Sequence, residues 1–282
     1  MRFIAGYLAL YGIVLALLFH YEHFQIVEPL AVLAIFGGVF SSVAWLLTRT
    51  ATKVDAAEPR RGVLWYLLVI AAFATWGLSA MPTAEPLRDL VVMIAKLAVI
   101  VAIPWLLFDR TALPLRFNRS DAVTTVVMAA MMLTFQYFFG RGPRDIAAAH
   151  FSPHHLAIGI AFAFVWLCIE AGLVEEYFFR RLLQSRLESL MRSSAGAIVV
   201  ASLLFGLVHA PGLYLRTART GEGLGNAPSL LMAIGYAVVI LSPTGFFFGI
   251  LWSRTRNLAI VILVHAAGDL LPGVVGLTKH FF

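Results

Sequence analysis

Charge is scarce in this chain. Of its 282 residues only 13% are Asp, Glu, Lys or Arg, against roughly 25% in a soluble globular protein. Cysteine occurs once, at Cys168, which excludes an intrachain disulfide and every zinc-finger spacing. There is no HExxH, so no single helix supplies the two histidines of a zinc protease. Barrel-type alternation, internal repeats and low-complexity tracts are missing as well, which argues against an outer-membrane barrel and a transporter built from two repeated halves.

What is abundant is apolar surface. Hydrophobic residues make up 61% of the chain, and the mean hydropathy is +0.88. Segments near the ~20 residues a helix needs to cross a bilayer recur at 3–20, 26–48, 62–81, 89–108, 121–139, 155–175, 195–210, 229–251 and 257–275. The fold class expected is therefore all-α, a polytopic transmembrane helix bundle with about eight or nine spanning helices. Residues 1–282 read as one integral membrane domain, with 1–150 supplying N-terminal helices and 151–282 carrying the polar motifs. The first segment follows Arg2 as a signal peptide would, but His20-Tyr21-Glu22-His23 offers no small-residue cleavage site, so a retained helix is expected.

The net charge of +6 does not point to nucleic acid, because the basic residues sit between apolar segments. Alternate connections carry Arg2; Arg49, Lys53, Arg60 and Arg61; Arg110, Arg116 and Arg119; Arg180, Arg181, Arg186 and Arg192; Arg254 and Arg256. The opposite side carries only Arg88, Arg141, Arg144, Arg216, Arg219 and Lys279. The richer side is expected to be cytoplasmic. That puts the N-terminus inside, with membrane lipid as the obligate partner.

Local punctuation is readable in places. Ser152-Pro153 suits an N-cap followed by the first helical position. Pro211-Gly212 is expected to close the seventh helix. Residues 216–229 form the longest polar connection.

Ionisable residues inside apolar segments cost a few kcal/mol each unless paired or wetted, so each is a functional candidate. Glu175 and Glu176 close the sixth segment. Glu176 and Arg180 are four apart and share a helix face, acid before base, while Glu175 is rotated about 100° away. Arg180 is thus expected to pair Glu176, leaving Glu175 free for other work; the alternative is a charge cluster that merely ends a helix. His209 ends the seventh segment one turn after Phe205, which is expected to pack on its ring and shape a pocket; an interfacial histidine beside a turn is the plainer alternative. His265 and Asp269 share a face of the last helix, with small residues between them; a polar pair gluing two helices would look the same. Lys96 and Glu170 are lone charges able to pair, more in keeping with a structural role. If the chain reverses near Ser193-Ser194, Glu175 and His209 lie about 27 and 23 Å from the turn at 1.5 Å per residue, at similar heights. Then either the sixth helix continues past Arg180, or residues 181–192 bend along the surface.

Together Glu175-Glu176-x-x-x-Arg180, Phe205-x-x-x-His209 and His265-x-x-x-Asp269 resemble, in order, the three motifs of the type II CAAX prenyl endopeptidase and bacteriocin-processing (abortive infection, CPBP) family of intramembrane proteases. The resemblance covers about residues 170–270. It implies an endopeptidase whose site faces the cytoplasm, in which Glu175 with His209 activates water, Glu176 and Arg180 order the site, and His265 with residue 269 stabilises the oxyanion. A zinc held by Glu175, His209 and His265 is the alternative reading of the same residues; the metal-free one is preferred, because two acids with an internal arginine already balance charge. The family's third motif often ends in Asn, a donor. Asp269, if ionised, instead orients and charges His265. The substrate implied is a membrane-associated or C-terminally tagged or lipidated polypeptide. The competing class is a non-catalytic membrane scaffold or immunity protein that binds a peptide in the same pocket.

Overall fold

A computed structural model describes residues 2–49, 86–108, 115, 117–215, 224 and 228–282. The expected span at 62–81 and most of the connection at 216–229 lie outside the described residues. The helices are α1 (Arg2–Glu22), α2 (Val27–Leu47), α3 (Leu90–Leu107), α4 (Arg119–Phe139), α5 (Gly142–Ala149), α6 (Pro153–Met191), α7 (Ser194–Leu215), α8 (Leu230–Thr255) and α9 (Leu258–Phe281). All except α5 are long and apolar enough to cross a membrane, eight among the described residues, where no strand occurs. The chain is an all-α integral membrane protein, as the hydropathy predicts.

Side-chain caps fix several helix starts. Ser152 accepts from the His155 N–H at 3.3 Å, with Pro153 following it. Asn118 and Asp121 form a reciprocal capping box at α4. Ser193 accepts from the Gly196 N–H at 3.1 Å, and Arg192 before it adopts a left-handed φ of 48°, so the chain reverses where the serine pair suggested.

Two sequence expectations need correction. The sixth helix does not stop near Glu175: α6 runs 39 residues to Met191, about twice the length a crossing needs. It contains widened, π-type turns at Cys168–Leu173 and Tyr177–Gln184, and its later residues Leu182, Leu183, Gln184, Ser185 and Arg186 are buried. Of the two courses left open, the helix continues. Nor does Pro211-Gly212 end the seventh helix. After a tight turn at Val208-His209 the helix resumes over Ala210–Leu215. Pro211 stands in the first turn of that resumed piece, where an N–H has no helical partner to lose.

The chain packs as two compact units, Met1–Pro82 with Phe179–Arg254, and Thr83–Phe178 with Thr255–Phe282. In the first unit α7 and α8 meet closely: a Cβ on Gly245 would come within 3.1 Å of Ser202 and Phe205. Gln184 donates to the Gly249 carbonyl at 2.8 Å, and Trp252 Nε1 donates to Ser185 Oγ at 3.1 Å, which ties residues 184–185 to α8. Ser242 Oγ donates to the Val238 carbonyl at 2.6 Å, so the buried Tyr7 hydroxyl, 2.9 Å away, is the donor to Ser242. These bonds satisfy polar groups that lipid could not.

In the second unit α9 packs against α4, α5 and the first part of α6. Its core joins Ala163 and Leu167 of α6 to Ala266, Leu270 and Val274 of α9. The closest backbone approach that bears on function is at Gly172, where a Cβ would stand 2.9 Å from the Ile262 carbonyl oxygen. Three residues further along each helix come Glu175 and His265. Pro272 inside α9 has no N–H for the carbonyl four residues earlier, that of Gly268.

Gly172→Ala is therefore expected to destabilise the protein by about 1–3 kcal/mol through overpacking against backbone. Gly276→Ala, in α9 with nothing within 4 Å of its Cβ position, should be neutral or stabilising by up to about 1 kcal/mol. Thermal unfolding of the two variants in detergent checks the contrast.

Candidate active site

Four of the expected site residues meet in the second unit. Glu175 and Glu176 are adjacent on α6 and diverge by about 100°, and the His265 ring projects from α9 between them. His265 Nδ1 is 2.7 Å from Glu176 Oε1, a buried hydrogen bond. His265 Nε2 lies 3.7 Å from Glu175 Oε2 and 3.2 Å from Asp269 Oδ2. The i,i+4 contact of His265 with Asp269 is the one their spacing predicts. The bracketing of one imidazole by both adjacent acids goes beyond the i,i+4 spacing, which assigns Glu176 to Arg180 alone. The signal that would have found it is Gly172 on α6 facing Ile262 on α9 at equal offsets from Glu175 and His265.

The four side chains differ in access. Glu176 is fully buried and His265 nearly so, whereas Glu175 retains 28% and Asp269 46% of its side-chain exposure. A carboxylate without solvent must have donors, and Glu176 has the His265 N–H. The accessible acids, Glu175 and Asp269, both stand on the Nε2 side of the ring. An imidazole serves acceptors at both nitrogens only when both carry a proton, and the flanking carboxylates balance the charge of that form.

Lys96 and Glu170 also belong to this unit and form an ion pair joining α3 to α6, the pairing their isolation in apolar segments suggested. The carboxylate falls inside the widened turn Cys168–Leu173.

Arg180, Phe205 and His209 lie in the first unit. The Arg180 guanidinium is fully buried and sits 5.1 Å from the centre of the Phe205 ring and 5.9 Å from that of Phe248, a cation–π arrangement. Phe205 in turn packs on His209 with ring centres 5.2 Å apart, as its spacing one turn earlier predicts. Phe248 was missed; the run Phe246-Phe247-Phe248 in a span was its only trace. The tight turn at His209 has a chemical consequence. The His209 N–H bonds the Gly206 carbonyl at 3.0 Å instead of the one four residues back, and His209 Nδ1 comes 2.7 Å from the Phe205 carbonyl oxygen. A carbonyl only accepts, so Nδ1 carries a proton and donates it there, which fixes the ring's orientation.

Among the described residues no group of three or more His, Cys, Asp and Glu side chains is arranged to hold a metal ion.

Residues 157–271 match the family model described as type II CAAX prenyl endopeptidase, Rce1-like. The three motifs fall within this stretch, which contains all seven residues singled out for the site, and the matched family is one of proteases. No curated protein and no solved structure matches the chain.

Burial orders the expected mutational effects. Glu176→Ala leaves a buried imidazole without its acceptor and should cost about 3–5 kcal/mol of stability. Asp269→Ala, at a half-exposed position, should cost no more than about 1 kcal/mol. Equal losses in a denaturation assay on purified protein would contradict this division.

Proposed function

We propose that the protein is an intramembrane endopeptidase that hydrolyses a peptide bond in a membrane-associated or C-terminally tagged or lipidated polypeptide. The observation that carries this reading is the His265 imidazole held among Glu175, Glu176 and Asp269 inside membrane-spanning helices, on a stretch that matches a protease family. Three acids around one buried ring is an expensive arrangement in lipid, and a scaffold has no need of it.

Glu175, the more accessible of the adjacent acids, takes a proton from water as the water oxygen attacks the scissile carbonyl carbon. His209, its Nδ1 held by the Phe205 carbonyl, shares that work in the family's pattern. The carbonyl electrons move to oxygen, and His265 offers its Nε2–H to the oxyanion while Glu176 holds Nδ1. The C–N bond then breaks, and the proton taken up from water passes to the leaving amine. Asp269 acts by orienting and balancing the charged ring. Glu176 and Arg180 order the centre, and Phe205 shapes the pocket and supports His209. The reaction is read as metal-free because two adjacent acids and an internal arginine already balance charge, and zinc held by Glu175, His209 and His265 is the competing reading. By the distribution of Lys and Arg, the N-terminus and the site face the cytoplasm.

The test is cleavage of a prenylated quenched peptide ending in a cysteine-aliphatic-aliphatic-X tetrapeptide, together with an unlipidated quenched peptide library, in liposomes. Glu175→Ala and His209→Ala should each lower the rate by about 10²–10⁴-fold, and a chelator should leave wild type unaffected. Activity lost to the chelator and restored by zinc would favour the metal reading. Binding without cleavage would favour the peptide-binding scaffold. Asp269→Asn should keep activity, because the amide still accepts from His265 or donates to the oxyanion; an inactive but folded Asp269→Asn protein would show that the carboxylate itself is required.

A further inference from the structure

Outside the residues matched by motif, a further pair of opposite charges joins two spanning helices among the described residues of the second unit. Lys96 of α3 reaches Glu170 of α6, each with about a quarter of its side chain exposed (23% and 26%). Both stand at widened turns. Lys96 immediately precedes the π-type segment Leu97–Ala102, and Glu170 lies within Cys168–Leu173. The α3 segment packs directly on Val174–Glu176, the short stretch that bears the two catalytic acids. The other side of Cys168–Leu173 packs on α9, with Gly172 against Ile262.

A widened turn has poorer hydrogen-bond economy than an α-turn and persists where its surroundings enforce it. Each extra residue accommodated in such a turn moves the residues after it around the helix axis. The position of Glu175 and Glu176 relative to a ring on α9 therefore depends on the turn just before them. Gly172 allows that turn to approach α9, and the Lys96–Glu170 pair ties it to α3 on the other side. An ion pair that is largely out of water resists being pulled apart, because separation leaves two unpaired charges among apolar groups.

We propose that Lys96 is a positioning residue of this site: through its ion pair with Glu170 it clamps the widened turn Cys168–Leu173 and so sets where Glu175 and Glu176 stand against His265. The proposal rests on the reading of that cluster as the reacting centre, and it touches neither substrate nor water itself. It predicts a loss in the chemical step with little change in binding, and it predicts that the sign of the charges is interchangeable across the pair.

Cys168, the only cysteine in the chain and the first residue of the clamped turn, provides a readout independent of catalysis. Full-length protein in liposomes is compared as wild type, Lys96→Met, Glu170→Gln and the exchanged pair Lys96→Glu with Glu170→Lys. N-ethylmaleimide labelling of Cys168 and turnover of the prenylated quenched peptide are followed together. Lys96→Met and Glu170→Gln should lower kcat by about a hundred-fold with KM within about twofold. Both should speed Cys168 labelling by about fivefold or more as the turn loosens. The exchanged pair should bring both quantities back to within about threefold of wild type. Unchanged labelling in the single variants overturns the clamp, and so does an exchanged pair that folds yet behaves like the single variants. If wild type cleaves no peptide, the protease reading has failed, and the labelling pattern still decides the clamp. If Lys96→Met does not fold, Glu170→Gln and the exchanged pair decide it alone.

Discussion

The hydrogen bond from His265 Nδ1 to the fully buried Glu176, at 2.7 Å, is the interaction on which the candidate centre depends. It anchors an imidazole at a defined place between two helices and gives a carboxylate with no access to solvent the donor it needs. With Nδ1 committed there, Nε2 is turned to the accessible side, where Glu175 and Asp269 stand. The backbone permits this only because Gly172 lets α6 come within contact of the Ile262 carbonyl. Sequence, packing and chemistry thus meet at one glycine and one ring.

Lipid gives the polar residues of this chain their meaning. A soluble protein can leave a stray charge in water, whereas a spanning helix must pair it, wet it or lose stability. The pairs found within each unit follow that rule: Lys96 with Glu170, Glu176 with His265, Tyr7 with Ser242, and the Arg180 guanidinium over the faces of Phe205 and Phe248. Because so few residues are charged, the ones that are carry more information than they would elsewhere. His209 shows the same economy on a smaller scale, since a tight turn in α7 releases the Phe205 carbonyl to hold its Nδ1.

Much of this was legible before any coordinates. Runs of apolar residues near 20 long located eight of the described helices, because crossing length and hydropathy are set by the bilayer and hardly at all by neighbours. The i,i+4 contact of His265 with Asp269 and the packing of Phe205 on His209 followed from helical geometry alone. What escaped were features that depend on another helix or on a change of helical register. Nothing local marks α6 as continuing to Met191; its later turns are polar in sequence and become tolerable only through bonds such as those of Gln184 and Ser185 to α8. Pro211 looked like a terminator because a restarted helix accepts proline in its first turn as readily as a finished one does after its last. The second acid on His265 required knowing that α6 and α9 touch, which a lone glycine hints at but does not establish.

The most direct measurement compares wild-type protein with His265→Gln in liposomes, reading peptide binding and peptide hydrolysis side by side. The amide can still hydrogen-bond Glu176 but carries no positive charge for an oxyanion. If the imidazole is the centre of the chemistry, binding should stay within about twofold and hydrolysis should fall by about 10²–10³-fold. A folded His265→Gln protein that binds and cleaves like wild type would contradict the account, because its ring would then be only a structural tie between α6 and α9.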